Sequence, residues 1–261
     1  FAARLFISYP FETGPTGMTV EPRFIVREIQ STRLWRAFVI AAKISSWDGC
    51  VPNMVRDGVR YVVVPSLLAI VFIGLAFWVS WFVVGAVLMI LLAAFMAYFF
   101  RDPRRSIPLE PGIVVSPADG KVTIARQATA QNPDALVSIF LSPLDVHINR
   151  APIEGEIVDI TYKKGQFLMA TREESRLVNE QNCLTIVGSE VTVKCVQIAG
   201  VLARRIVCWK QRGERVKCGE QFGMIKFSSR TDLLMPSNVE VTVSVGMHVK
   251  GGETIIGRIK N

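Results

Sequence analysis

The pattern of apolar and polar positions changes character near residue 60 and again near residue 100. Residues 61–100 contain no Asp, Glu, Lys or Arg. As one straight helix this run would be roughly 60 Å long, about twice the hydrocarbon thickness of a bilayer, so it predicts an antiparallel helical hairpin turning at Trp78-Val79-Ser80-Trp81. Beyond Arg101 the texture becomes short apolar alternation broken by Gly and Pro, which predicts strands. The clearest covers residues 239–245, with Val on one face and polar residues on the other; residues 190–197 and 201–209 are similar. Turn signals recur at Pro117-Ala118-Asp119-Gly120, Gly165, Gly188, Gly213 and Gly251-Gly252. Their spacing suits a barrel or sandwich of short strands. The expected fold is therefore mainly β, preceded by an α-helical membrane hairpin.

Three segments follow from this pattern: an N-terminal basic segment (1–58), the hairpin (59–101) and a β domain (102–261). Residues 1–58 show only a short amphipathic stretch near 24–44 and lack the order of a signal peptide. Met54 opens an economical start for a membrane-anchored protein, so the residues before it are expected to lie outside the working protein. Arg56 and Arg60 precede the apolar run, and Arg101, Arg104 and Arg105 follow it. The positive-inside tendency puts both flanks, and the β domain, on the cytoplasmic side of the cell's inner membrane.

Composition sharpens this reading. Half of the 261 residues are hydrophobic, and 30 basic against 22 acidic residues give a net charge of +8. An anionic partner is expected; charge alone does not choose between nucleic acid and phospholipid. Five cysteines without a CxxC pair argue against a disulfide scaffold and a zinc ribbon. No GxxxxGK[ST] or GxGxxG sequence supports nucleotide chemistry. Residues 153–157 and 245–252 have the cadence of lipoyl- and biotinyl-like barrels, without a modifiable Lys at a hairpin tip. A non-catalytic, membrane-anchored lipoyl-like adaptor is thus one reading of the chain.

The candidates for chemistry are few. His147 and His248 are the two histidines. His147 follows an apolar strand and alternates with Asp145 and Asn149 along an extended segment, where a carboxylate beside the imidazole would fix its tautomer; a solvated strand edge is the other reading. His248 lies in a Gly-rich stretch that reads as structural. Ser228-Ser229, after Phe222-Gly223-Met224-Ile225-Lys226-Phe227, either satisfies a bend or supplies a hydroxyl that attacks the preceding carbonyl to form an ester.

In order behind the hairpin stand Phe99-Phe100-Arg101-Asp102-Pro103-Arg104-Arg105, Val115-Ser116-Pro117-Ala118-Asp119-Gly120-Lys121-Val122, residues 141–150 and residues 222–232. Together they resemble the phosphatidylserine decarboxylases of the short bacterial and archaeal type, from about Met54 to the C-terminus. The resemblance implies a proenzyme that cuts itself between Ser228 and Ser229, giving a β chain ending at Ser228 and an α chain of 229–261 that stay associated. It implies that Ser229 becomes a pyruvoyl group, which forms a Schiff base with the amine of phosphatidylserine and serves as electron sink while CO2 leaves. Phosphatidylethanolamine is then the product, and nucleic acid is not a partner. No metal is implied. His147 and Asp119 match the catalytic histidine and aspartate of the family, although Asp119 also reads as a plain turn carboxylate. Two departures stand out. Longer members carry D-x-H-x-x-H, and the second histidine is Arg150 here, which leaves His147 to serve both processing and decarboxylation in the resemblance. The family's usual Gly-Ser at the cut is Ser228-Ser229, which predicts slower processing because a Cβ penalises torsions open to Gly. A pyruvoyl decarboxylase for a soluble amino acid is the rival enzyme reading, made unattractive by the hairpin.

Overall fold

The apolar run folds as two 18-residue helices, α1 (Val59–Ala76) and α2 (Phe82–Phe99), in a computed structural model that describes residues 54–169, 174–201, 205–227 and 229–260. The amphipathic stretch near 24–44, Cys50 and Ser228 lie outside the described residues. At about 1.5 Å per residue each helix spans roughly 27 Å, and both are long and apolar enough to cross a membrane. They reverse at the expected place, where Phe77, Trp78 and Trp81 are exposed. Small residues let the helices meet: Ala69 and Ala86 are buried, and Gly85 lies against the ring of Phe72. Leu68, Ile70, Val71, Leu88 and Leu91 face outward, as an apolar surface meant for lipid would.

The hairpin is tied shut at its base. Met54 bridges Arg101, and the Val55 N–H donates to the Phe100 carbonyl at 3.1 Å. A 3-10 turn, Arg56–Gly58, leads into α1. A Cβ on Gly58 would collide with the Phe100 ring, so glycine is what lets the two ends close.

The remainder is antiparallel β structure. An eight-stranded sheet holds, in spatial order, β13 (His248–Val249), β2 (Gly120–Arg126), β3 (Ala135–Leu141), β11 (Ser229–Met235), β7 (Thr192–Ala199), β6 (Gln181–Val187), β5 (Gly155–Lys163) and β9 (Arg215–Val216). Two three-stranded sheets accompany it: β1 (Ile113–Val115), β14 (Ile255–Ile259), β12 (Val239–Val241); and β4 (Ile148–Arg150), β10 (Gln221–Ile225), β8 (Ile206–Cys208). A four-residue helix, α3 (Ser175–Val178), precedes β6. The core gathers Val137, Ile139, Leu141, Leu184, Ile186, Val193, Phe222, Leu233 and Ile256. Central strands β3 and β11 are buried on nearly every residue, whereas β6 alternates.

The mainly β expectation and the helical hairpin hold, but not the closed barrel: among the described residues the large sheet runs openly from one two-residue edge strand to another. The strand expected over 239–245 stops at Val241. Its partner β14 gives its last bond there to the Thr242 N–H, and the chain then turns through Gly246 at φ 96°. Residues 190–197 form β7 with a two-residue shift, and of 201–209 only β8 is a strand, residues 202–204 being outside the described set.

Candidate active site

Ser229 opens β11, the central strand, pairing with Leu141 of β3 and Ala199 of β7. It is fully buried, and its Oγ has no hydrogen-bond partner. An unsatisfied buried hydroxyl costs about 1–3 kcal/mol, so it calls for an explanation.

His147 is positioned by the turn that leaves β3. The Asp145 carboxylate accepts bonds from the Ser142 N–H at 2.8 Å and the Ser142 hydroxyl at 2.7 Å, folding the chain back. The Asp145 carbonyl, rather than its carboxylate, then lies 2.9 Å from His147 Nδ1. A carbonyl can only accept, so Nδ1 carries the proton and Nε2 keeps its lone pair. That Nε2 is buried and has no partner. Burial is the main cause that lowers the His147 pKa from 6.5 to about 4, helped by the nearby Arg101 charge and opposed by the Asp145 carbonyl and carboxylate. The imidazole is therefore a neutral base at neutral pH.

A buried clasp joins β11, which Ser229 opens, to β4, which begins one residue after His147. Asn149 Nδ2 donates to Thr231 Oγ at 2.9 Å, and Asn149 Oδ1 accepts from Gln197 Nε2 at 2.8 Å. Gln197 Oε1 accepts in turn from Asn182 at 2.9 Å. Since side chains two apart on an extended chain share a face, the faces carrying Asn149 and Thr231 also carry His147 and Ser229. The Phe99 ring at the end of α2 fixes the sense of this meeting. Its centroid is 4.4 Å from that of His147 and 4.4 Å from that of Phe227, two residues before Ser229. In this uncleaved chain Ser229 Oγ and His147 Nε2 are not hydrogen-bonded to each other. Cavities of about 350, 390 and 660 Å3 lie elsewhere, none lined by either residue.

Asp119 sits in the turn ahead of β2 and is engaged otherwise. Arg105 Nη2 donates to both of its oxygens, at 2.7 and 2.9 Å, and the Gly251 N–H donates at 2.8 Å. The turn abuts β4, since the Pro117 carbonyl accepts the Arg150 N–H at 2.9 Å. Gly120 stands at φ 142°, where a Cβ would collide with the Phe140 carbonyl oxygen. Arg150, on the face of β4 opposite His147 and Asn149, pairs with Asp102 at 2.8 Å and donates to the Gly219 carbonyl at 3.1 Å. His248 pairs with Lys121 on the exposed edge strand.

Sequence reasoning missed Gln197, Asn182 and the two phenylalanines. A single Gln or Asn at an inward position of a Val- and Ile-rich strand was the available signal for the amides; Phe99 and Phe227 stood in the quoted motifs, but nothing local said that their rings meet.

Antiparallel sheets here carry a buried, unpartnered serine and a neutral histidine next to an apolar hairpin, side chains of the kind used in nucleophilic and acid–base chemistry; the class, a decarboxylase made as a proenzyme, comes from the comparison of sequences. The sequence profile of phosphatidylserine decarboxylase matches residues 92–257. The chain is 49% identical over 173 residues to the phosphatidylserine decarboxylase proenzyme of Solibacter usitatus, covering 66% of this chain and 83% of that one. It is 46% identical over 167 residues to that of Pelodictyon phaeoclathratiforme, covering 63% and 79%. With that of Carboxydothermus hydrogenoformans it shares 40% over 212 residues, covering 79% and 97%. The chain belongs to the phosphatidylserine decarboxylase family. That membership sets aside the non-catalytic adaptor.

Proposed function

We propose that this chain cleaves itself between Ser228 and Ser229 and that the resulting two-chain enzyme decarboxylates phosphatidylserine to phosphatidylethanolamine. The observation that carries this reading is that Ser229 Oγ and His147 Nε2 are both buried without partners, Ser229 at the start of β11 and His147 just before β4, the two strands clasped by Asn149 and Thr231.

In the first step Ser229 Oγ attacks the Ser228 carbonyl carbon as His147 Nε2 takes the hydroxyl proton. The C–N bond breaks, an ester forms, and the freed nitrogen takes a proton to become an amine. Loss of the Cα proton of residue 229 then expels Ser228 as a carboxylate, breaking the ester C–O bond. Addition of water and loss of ammonia leave a pyruvoyl group at the head of the α chain. The site suits that group: residue 229 is enclosed between two ladders, so the new terminus would stay held by β3 and β7. When formed, the pyruvoyl group supplies the electron sink for the pair left by departing CO2.

His147 would hold or return the proton at the substrate carbon, its tautomer fixed by the Asp145 carbonyl. The apolar wall of Phe99 excludes water from it. Asp119 supports the site from the Arg105 pair, and its direct part in proton transfer is not needed for this scheme. The hairpin and the Arg residues at its ends suit an anionic lipid headgroup presented at the cytoplasmic face of the inner membrane. Labelling of single cysteines beside Arg56 and Arg101 from opposite sides would refute that topology.

The test is the intact mass of freshly expressed protein. Two fragments meeting at Ser228–Ser229, the smaller with a blocked N-terminus, are expected; one unbroken chain with decarboxylase activity would overturn the reading.

A further inference from the structure

Phe227 is the one residue other than Gly with a left-handed backbone among the described residues, at φ 68°. A bulky side chain rarely adopts that region, and it persists only where the surroundings impose it. What imposes it here is visible. The Phe227 ring is stacked on Phe99 at 4.4 Å between centroids and 23° between planes. Phe99 is 1% exposed and is itself held by Phe100 at 5.0 Å, edge to face. Phe100 stacks on Tyr61 of α1 at 5.1 Å. An aromatic series thus runs from the base of both membrane helices to the residue that leads into the expected scissile bond.

We propose that Phe99 is a positioning residue for self-cleavage: from the end of the second membrane helix it clamps Phe227 in its left-handed conformation, and so aims the peptide entering Ser228–Ser229. The inference rests on the cleavage reading given above. It assigns the hairpin a second task besides attachment. The helices contribute a wall of the reaction site, and the clamp exists only when the hairpin is seated on the β domain.

The experiment follows conversion of the full chain, synthesised in the presence of phospholipid vesicles, by timed gel samples and intact mass. Phe99→Leu keeps an apolar residue but removes the stacking ring, and is expected to slow cleavage about tenfold, a typical consequence of losing a strained pre-attack geometry. Phe99→Tyr keeps the ring and is expected to stay within about threefold of the parent chain. Leu91→Ala, which alters the same helix at an exposed position, should leave the rate unchanged. The backbone claim has its own arm, which leaves Phe99 intact. Phe227→Gly adopts positive φ without help and should cleave at least as fast as the parent, while Phe227→Ala should be slowed about tenfold. In the Phe227→Gly background, Phe99→Leu should no longer slow cleavage, the signature of coupling between the two sites. Equal rates for Phe227→Gly and Phe227→Ala, or the same slowing by Phe99→Leu in both backgrounds, would overturn the clamp. If the parent fragments do not meet at Ser228–Ser229, or Ser229→Ala is still cut, the cleavage reading fails and the clamp with it. A correct cut with an unaffected Phe99→Leu rate overturns the clamp alone.

Discussion

Strands β4 and β11 each carry buried polar side chains on two faces, and the two faces are finished differently. On one, every charge is answered: Arg150 pairs with Asp102, which also accepts from Gln221 at 2.5 Å. Asp232 is met by Arg176 at 2.6 Å, by Arg230 at 3.0 Å and by the Ser138 hydroxyl. On the other face the Asn149–Thr231 clasp is likewise complete, but the next residues along, His147 and Ser229, each leave an atom open. Arg150, Arg230 and Asp232 on the one face are buried, as are His147, Asn149, Ser229 and Thr231 on the other, so burial alone does not mark the reactive one. What marks it is the absence of partners where folding alone would have supplied them. The third orphan, Arg105 Nε, belongs to a guanidinium otherwise engaged by Asp119 and Glu253.

If this contrast is functional, the largest effect lies at Ser229. Ser229→Ala removes the attacking hydroxyl and the precursor of the pyruvoyl group together, so a single inactive chain is expected by gel and by CO2 release. An active two-chain product from this variant would break the comparison at its strongest point.

His147 comes next. His147→Ala should lower CO2 release by about 10²–10⁴-fold, the loss typical of a positioned acid–base group, even in preparations where cleavage has gone to completion. Near-normal release from fully cut protein would move the proton donor elsewhere. The same residue has a pH signature. Its pKa falls from 6.5 unfolded to about 4 folded, chiefly through burial. The unfolded chain therefore binds the proton more readily, and the folded state keeps its full advantage above pH 6.5 but loses it as the pH falls toward 4. The loss amounts to roughly 3 kcal/mol. Denaturation of uncleaved Ser229→Ala protein across this range should show it, and adding His147→Gln should flatten that part of the curve.

The satisfied face should respond in stability and not in chemistry. Arg150→Met leaves Asp102 half-buried without its cation, so a loss of about 1.5–3 kcal/mol is expected by denaturation in detergent. Activity per folded molecule should stay within about threefold, because the guanidinium points away from the His147 face. A collapse of activity with stability intact would mean that Arg150 has taken over the chemistry of the missing second histidine.

How much of this was legible beforehand differs by the range of the interactions involved. The hairpin and its turn followed from a charge-free run and the thickness of a bilayer, both local facts. Ser229 and His147 were found through ordered motifs. The strand over 239–245 was overextended because alternation reports a face and does not report where the partner β14 ends. The partner of Asp119 was not legible, since nothing in Pro-Ala-Asp-Gly says that Arg105, fourteen residues upstream, reaches it. The His147 tautomer was expected from the Asp145 carboxylate, yet the Ser142 turn consumes that carboxylate and presents the carbonyl instead. Phe99 and Phe227 both stood in the quoted motifs, but their contact was not legible because it joins residues 128 positions apart through ring geometry alone.

The smallest expected effect is at Ser228, and it tests whether the two adjacent serines are as unlike as the comparison requires. Only the carbonyl of residue 228 takes part in ester formation, and any side chain there is a bystander to the electron movement. Ser228→Ala should therefore be cut at a rate within about threefold of the parent chain, the scale of a minor steric change. Ser228→Gly should be no slower, because losing the Cβ widens the torsions available before the cut. Timed gels on Ser228→Ala, Ser228→Gly and parent chains, with intact masses to confirm the junction, make the measurement. An uncut Ser228→Ala chain beside normal cleavage in the parent would assign the nucleophile to the first serine and shift the expected α chain terminus by one residue.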